Sequence, residues 1–302
     1  MHAILIMRIR SRLLALLIAS VYLPANAGEV IDRIKRTRMI TIAHRESSIP
    51  FSYVLQQTNK PAGYAIDLCL HIVESLRNRL KQPIEVNYLP VSPADRIAAI
   101  TDGRAQLECG STTNNAERRK AVAFTIPHYI TGARYLVRAN SGITELRDFE
   151  GRRLISTKGT TALKAINQAN RERLLRVKVI EAPDHARAVE MVATGEADGF
   201  VMDDVLLYGL IANQPDPSKF KVVGKFLTIE ALAIMLPKGD DEFKKIVDDE
   251  MKRLIATREA HALYARWFET PLPDSEGGNL RIAMNYLLKE FWRYPTDQVP
   301  DY

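Results

Sequence analysis

Apolar residues in this chain recur at two periods. From Ile66 to Leu80 they fall at threes and fours, through Cys69, Leu70, Val73 and Leu76, which is the spacing of a helix with one buried face. Ile97 with Ile100, and Val189 with Val192, mark two shorter helices. Between the helical stretches lie short β-prone runs at 39–43, 84–89, 106–109, 135–137, 153–156, 177–180, 199–202, 220–223 and 232–236. Alternation of this kind predicts an α/β protein with mostly parallel sheets. Ligands of such sheets sit beyond the carboxyl ends of the strands, where helix N-termini also point.

Two segments repeat one another. Residues 93–106 and 185–198 each read as a helix, a glycine turn, an alanine and then a strand, although that succession is also ordinary in α/β folds. The first leads into Cys109-Gly110-Ser111-Thr112 and the second into Val201-Met202-Asp203-Asp204. If the copies face each other, an acidic pair opposes a cluster of hydroxyls and arginines. Such a cleft suits a zwitterion, with Asp203 near an ammonium and the arginines near carboxylates.

Arg8, Arg10 and Arg12 precede an apolar run over 13–23 that ends in Pro24-Ala25-Asn26-Ala27. The basic flank, a run too short to span a bilayer and the Ala-x-Ala ending predict a secretory signal peptide at 1–27, cleaved after Ala27, and a periplasmic product. The chain carries 42 Lys+Arg against 36 Asp+Glu, both signs interspersed, so nucleic acid is not the expected partner. About 275 residues remain after the leader, enough for two domains. No Cys/His spacing fits a metal site, and no cofactor is implied. Cys69 on a helix and Cys109 at a strand end have an export context that permits a bridge, but two buried thiols fit equally.

Two polar stretches carry the candidate chemistry: HRESSIPFSY from His44 to Tyr53, and ECGSTTNNAERR from Glu108 to Arg119. Each sets an arginine beside short hydroxyl and amide side chains in a loop after an apolar run. Guanidinium forks match the two oxygens of a carboxylate, and short hydroxyls add donors. Other residues have plainer readings. Arg96 lies in an amphipathic helix, where an arginine is usually solvated, and His185 follows Asp184 at a helix start. One of Asp203 and Asp204 caps the helix that begins near Val205, and that role falls to Asp204. Trp267, with Tyr264 and Phe268, reads as core packing. The segment from Asn279 onward is apolar enough to pack on the body, with 295–302 expected to be loose.

These motifs, together with Gly63-Tyr64-Ala65-Ile66-Asp67-Leu68, Gly159-Thr160-Thr161, Asp184-His185 and Met202-Asp203-Asp204, resemble those of the family 3 solute-binding proteins of ABC importers, in matching order along the whole mature chain. The resemblance implies a two-lobe periplasmic binding protein fold of type II. Each lobe would be a mixed, mostly parallel sheet flanked by helices, and two hinge crossings near 130–133 and 229–232 would join them. Lobe 1 would comprise 28–130 and 233–302, and lobe 2 residues 131–232. By the same resemblance Arg45, Arg96 and Ser111 hold ligand carboxylates, Arg118 grips an α-carboxylate, Asp203 receives the α-ammonium and His185 reaches in from the second lobe. Thr113 joins the set. Thr160 and Thr161, at a helix start, offer backbone N–H groups to an anion. The arginines imply a ligand with two carboxylates, glutamate or aspartate. Pro93 stands where the acidic-ligand members of the family carry a serine, and the adjacent Ser92 joins the ligand-binding set in its place. Ser92 would cap the helix that follows, with Pro93 at its first position and Asp95 completing a capping-box-like pattern.

The function implied is that of a non-enzymatic, monomeric receptor that delivers its ligand to an ABC permease in the inner membrane. Two alternatives stand beside it. One is a periplasmic dehydratase-like enzyme on the same fold, with Glu46, His185 or Asp203 as candidate acid or base. The other is a ligand-sensing module for a different dicarboxylate.

Overall fold

The structure, a computed structural model, describes residues 29–273 and 280–300. The expected leader and its cleavage point lie outside the described residues. Two five-stranded sheets form the framework. In the first, strand Met39–His44 pairs in parallel with Glu85–Pro90 on one side and with Leu107–Glu108 on the other. Strand Met235–Pro237 then runs antiparallel between Leu107–Glu108 and Val122–Phe124. The second sheet repeats the plan. Strand Arg153–Thr157 is parallel to Lys178–Ala182 and to Gly199–Asp203, and Ala133–Arg138 lies antiparallel between Gly199–Asp203 and Phe220–Val223. Each sheet is therefore mixed, with three neighbouring strands parallel.

The internal repeat of the sequence is a structural repeat. Helix Arg96–Thr101 passes through Gly103 to strand Leu107–Glu108, and helix His185–Ala193 passes through Gly195 to Gly199–Asp203. Both glycines have positive φ, 69° and 82°, which costs a residue without a Cβ little. Each unit supplies the third parallel strand of its sheet.

Helix Tyr64–Leu80 packs as its period requires, burying Ile66, Cys69, Ile72, Val73 and Leu76, while Leu70 turns outward. Cys69 is disulfide-bonded to Cys109, so the chain takes the bridged alternative. With the cysteines 40 positions apart, closing that loop in the unfolded chain contributes about 4 kcal/mol. The bridge also fastens the loop after Leu107–Glu108 to the helix behind it. Phe51, Tyr64, Tyr129, Tyr264 and Phe268 form one aromatic cluster beside it, with Tyr264 and Phe268 stacked at 4.4 Å between centroids. Trp267 is buried at its edge and donates from Nε1 to Asp67 Oδ2 at 2.7 Å, as core packing requires.

Strands Tyr129–Thr131 and Glu230–Leu232 pair antiparallel, apart from both large sheets. They carry the chain between the sheets where the two crossings were expected. The small sheet of Ser47–Ser48, Ser52–Val54 and Pro61–Ala62 was not foreseen; its strands are too short to show a period. The end of the chain is also better anchored than expected. Asn285 Nδ2 donates to Ile130 O, Trp292 Nε1 to Pro127 O and Asn114 Nδ2 to Asp297 O, and Val299 is buried. Residues 295–300 are therefore fastened across the first crossing rather than loose.

Candidate functional site

The parallel strands of both sheets end at the same place. Met39–His44 delivers Arg45, Leu107–Glu108 delivers the loop from Gly110 to Thr113, Arg153–Thr157 delivers Gly159 to Thr161, Lys178–Ala182 delivers His185, and Gly199–Asp203 ends on Asp203 itself. Arg45, Arg96, Ser111, Thr113, Arg118, His185 and Asp203 are all buried.

The guanidinium groups are only partly satisfied by protein. Arg45 is held by its backbone N–H donating to Ser52 Oγ at 2.9 Å and by its Nε donating to Val91 O at 3.0 Å, yet its Nη1 is buried without a partner. Arg96 Nε is likewise buried and unpartnered. Arg118 donates from Nη1 to Thr113 O and from Nη2 across to Gly159 O at 3.4 Å. Burial, and then the charge of Arg96, pulls both Arg45 and Arg118 down from the usual guanidinium value to about 9. Burial lowers Arg96 as well. A guanidinium keeps its proton in a protein, so this penalty is a demand for an anion. Glu108, fully buried, meets part of it. Its Oε2 accepts from Thr112 Oγ1 at 2.6 Å, and its Oε1 has no partner. Gly110 makes room, because a Cβ there would lie 2.5 Å from Glu108 Oε1 and 3.1 Å from Arg45 Cγ.

The cluster is polar along its length. The charges of Arg45 and Arg96 act on His185, whose pKa lies well below its usual value, mainly through burial. Its Nδ1 is 2.8 Å from Thr157 Oγ1, so a neutral ring keeps one further nitrogen. At the other end Arg96 and Arg118 act on Asp203. Burial, then Glu230 and Asp204, push that carboxyl well above the usual carboxylate range, and its Oδ1 is buried without a partner. One end thus gathers Arg45, Arg96 and His185 around the buried Glu108, and the other sets Arg118 beside the carboxyl of Asp203.

Two expected roles change, those of Ser92 and Asp204. Ser92 hydroxyl donates to Asp95 Oδ2 and accepts from Asp95 N at 3.2 Å, so the turn uses it rather than leaving it for a ligand. The helix proper starts at Arg96 with Asp95 as its cap position, one turn later than expected. Thr160 hydroxyl is also consumed, donating to Thr157 O and accepting from Leu163 N as the N-cap of helix Thr161–Glu172. The backbone donors expected at that helix start are distinct from the hydroxyl, and of its first-turn amides only Leu163 N is taken by the cap. Asp204 is not the cap of helix Asp204–Ala212 but its first residue, and its Oδ1 accepts from Thr131 Oγ1 at 2.8 Å. Asp203 holds the cap position without a side-chain cap bond.

Glu230 escaped the sequence reading. It is buried on the second crossing strand, opposite Thr131, with Asn114 N donating to the neighbouring Ala231 O. No motif surrounds it, and only the placement of the crossing against the hydroxyl loop reveals it.

Residues 40–270 match the family model of bacterial extracellular solute-binding proteins, family 3. The chain belongs to that family. It is 36% identical over 301 residues to the L-glutamate/L-aspartate-binding protein of Pseudomonas aeruginosa, covering 98% of this chain and 99% of that one. It is 34% identical over 273 residues to the glutamate/aspartate import solute-binding protein of Escherichia coli, covering 90% of each. Among solved structures, an ABC uptake transporter substrate-binding protein from Streptococcus pneumoniae with bound histidine superposes with a TM-score of 0.72 at 21% identity, over 83% of this chain and all of that one. The two-lobe fold of type II is thereby shown.

Proposed function

We propose that this protein is the receptor component of an ABC importer, which captures glutamate or aspartate outside the cytoplasm and passes it to a permease in the inner membrane. Lobe 1 (28–130 with 233–302) and lobe 2 (131–232) close on the ligand as a monomer, turning about the paired crossing strands. The observation that carries this reading is a row of three buried arginines, two of them, Arg45 and Arg96, with unpartnered donors, ending beside the unpartnered Oδ1 of Asp203. An amino acid with a second carboxylate complements that polarity. Its α-carboxylate meets Arg118 and the hydroxyls of Ser111 and Thr113, and its ammonium meets Asp203. Its distal carboxylate meets Arg45, Arg96 and His185. The names of the relatives from Pseudomonas aeruginosa and Escherichia coli support the same ligands.

A receptor needs no proton-transfer group. The Nδ1 of His185 is engaged by Thr157, and burial keeps the ring neutral. A thermal-shift screen of the mature chain against amino acids and dicarboxylates tests the reading, because a ligand of the native state raises its apparent stability. A rise confined to glutamate and aspartate supports it. A rise with none of them contradicts it.

A further inference from the structure

The charge of Glu230 reaches Asp203. Glu230 is 3% exposed, and among the described residues no hydrogen bond or ion pair ends on its carboxylate. It stands on strand Glu230–Leu232, whose pairing fixes it opposite Thr131. That strand is pressed against the hydroxyl loop from the other side, through a bridge of Leu232 to Thr113 and the bond from Asn114 N to Ala231 O at 2.8 Å. Asp203 approaches from the second sheet, where it pairs with Ala133, two residues beyond Thr131 on the same segment. Two buried carboxylates thus flank one stretch of the first crossing, and Asp203 Oδ1 has no partner of its own. Glu230 also lines a cavity of about 320 Å³ at the boundary between the lobes, with Thr113, Glu117, Thr161 and Lys164.

We propose that Glu230 is a second carboxylate at the ammonium end of the cleft and sets its specificity. With Asp203 it makes that end tolerable only to a ligand that brings a cation. Like charges buried together are unfavourable until a counter-charge arrives. An α-ammonium supplies it. A dicarboxylate without the amino group would bring its carboxylate to that end with no cation to offset Asp203 and Glu230, so rejection of amine-free acids is built into the crossing strand rather than into the arginines. This inference rests on the acidic amino-acid reading of the cleft.

Calorimetric titration of the wild type, Glu230→Gln and Glu230→Asp with glutamate, aspartate, glutarate and succinate tests it. The wild type is expected to bind the amino acids and to show no measurable binding of glutarate or succinate. In Glu230→Gln, glutamate affinity falls at least tenfold while glutarate binding becomes measurable. Glu230→Asp, which keeps the charge, retains the preference for the amine. A Glu230→Gln protein that binds glutamate and still rejects glutarate as the wild type does overturns the role of Glu230 alone. A wild type that binds neither amino acid overturns the underlying reading as well.

Discussion

The hydroxyl of Thr113 lies 3.3 Å from that of Thr161. This contact joins the loop after the first sheet's third strand to the helix start of the second sheet, so the structure is one in which the lobes have met. Two other contacts cross at the same level: Arg118 Nη2 donates to Gly159 O, and Lys164 pairs with Glu117. The exposed Lys164–Glu117 pair contributes little on its own. The two part-buried contacts, which a ligand would hold in place, define the closed state.

Gly209 makes closure testable away from the ligand. It lies within helix Asp204–Ala212, and a Cβ there would stand 2.3 Å from Ile49 O on the other lobe. Alanine is the better helix former by about 1 kcal/mol. Gly209→Ala should therefore leave the melting temperature of the ligand-free protein unchanged or raised, and weaken glutamate binding at least tenfold. Calorimetry beside thermal melts separates the two effects, and unaltered affinity would show that Ile49 and Gly209 do not meet on closure.

Asp203 carries a cost in the absence of ligand. Its folded pKa is raised, chiefly by burial, so as pH climbs above the ordinary carboxylate value the unfolded chain sheds its proton first and native stability falls. Asp203→Asn removes that loss. The variant should be more stable than wild type at neutral pH by about 0.5–2 kcal/mol, while losing amino-acid binding. Urea denaturation and titration of the same sample check both signs.

His128 sets an acid limit in the opposite sense. Burial holds it at about 3, both its ring nitrogens are buried without a hydrogen-bond partner, and its ring packs against Phe51 and Tyr64. Its folded pKa lies below the unfolded value near 6.5. Between about pH 6.5 and 3 the unfolded chain therefore binds a proton that the native state refuses, and stability drops by about 1.4 kcal/mol per pH unit for this group. His185 acts in the same direction. In His128→Phe the stability slope between pH 6.5 and 5 should be shallower by one proton, whatever the variant's absolute stability. An unchanged slope would mean that His128 titrates normally.

Trp267→Ala should cost about 3–5 kcal/mol in stability, because the indole is buried and its N–H satisfies Asp67. Ligand affinity at 25 °C should be retained in the fraction that folds. Denaturation and titration of one preparation distinguish this packing role from a part in binding.

The sequence exposed those features that repeat or alternate. Helix Tyr64–Leu80 and the parallel strands were legible because a buried face imposes a period, and the unit from Arg96 to Glu108 was legible because a second copy runs from His185 to Asp203. The arginine loops were legible as chemistry, through their resemblance to a family. Details decided by competition among polar groups were not. Ser92 has a hydroxyl that suits a ligand or a helix start, and only the folded turn shows Asp95 claiming it. Asp203 and Asp204 are adjacent and chemically alike, so which one caps depends on Thr131, some 70 residues away. Glu230 gave no signal, since an isolated glutamate in a short apolar strand has neither period nor motif.

The central claim is that buried arginines without full protein partners are satisfied by the ligand's carboxylates. Titration calorimetry of glutamate into wild type, Arg45→Ala and Arg118→Ala at one pH and ionic strength tests it most directly. Removing one partner of a buried, hydrogen-bonded charge pair costs about 2–5 kcal/mol. The account therefore predicts that each variant loses affinity by a factor of about 30 or more while still folding. Wild-type affinity in either variant would contradict the claim.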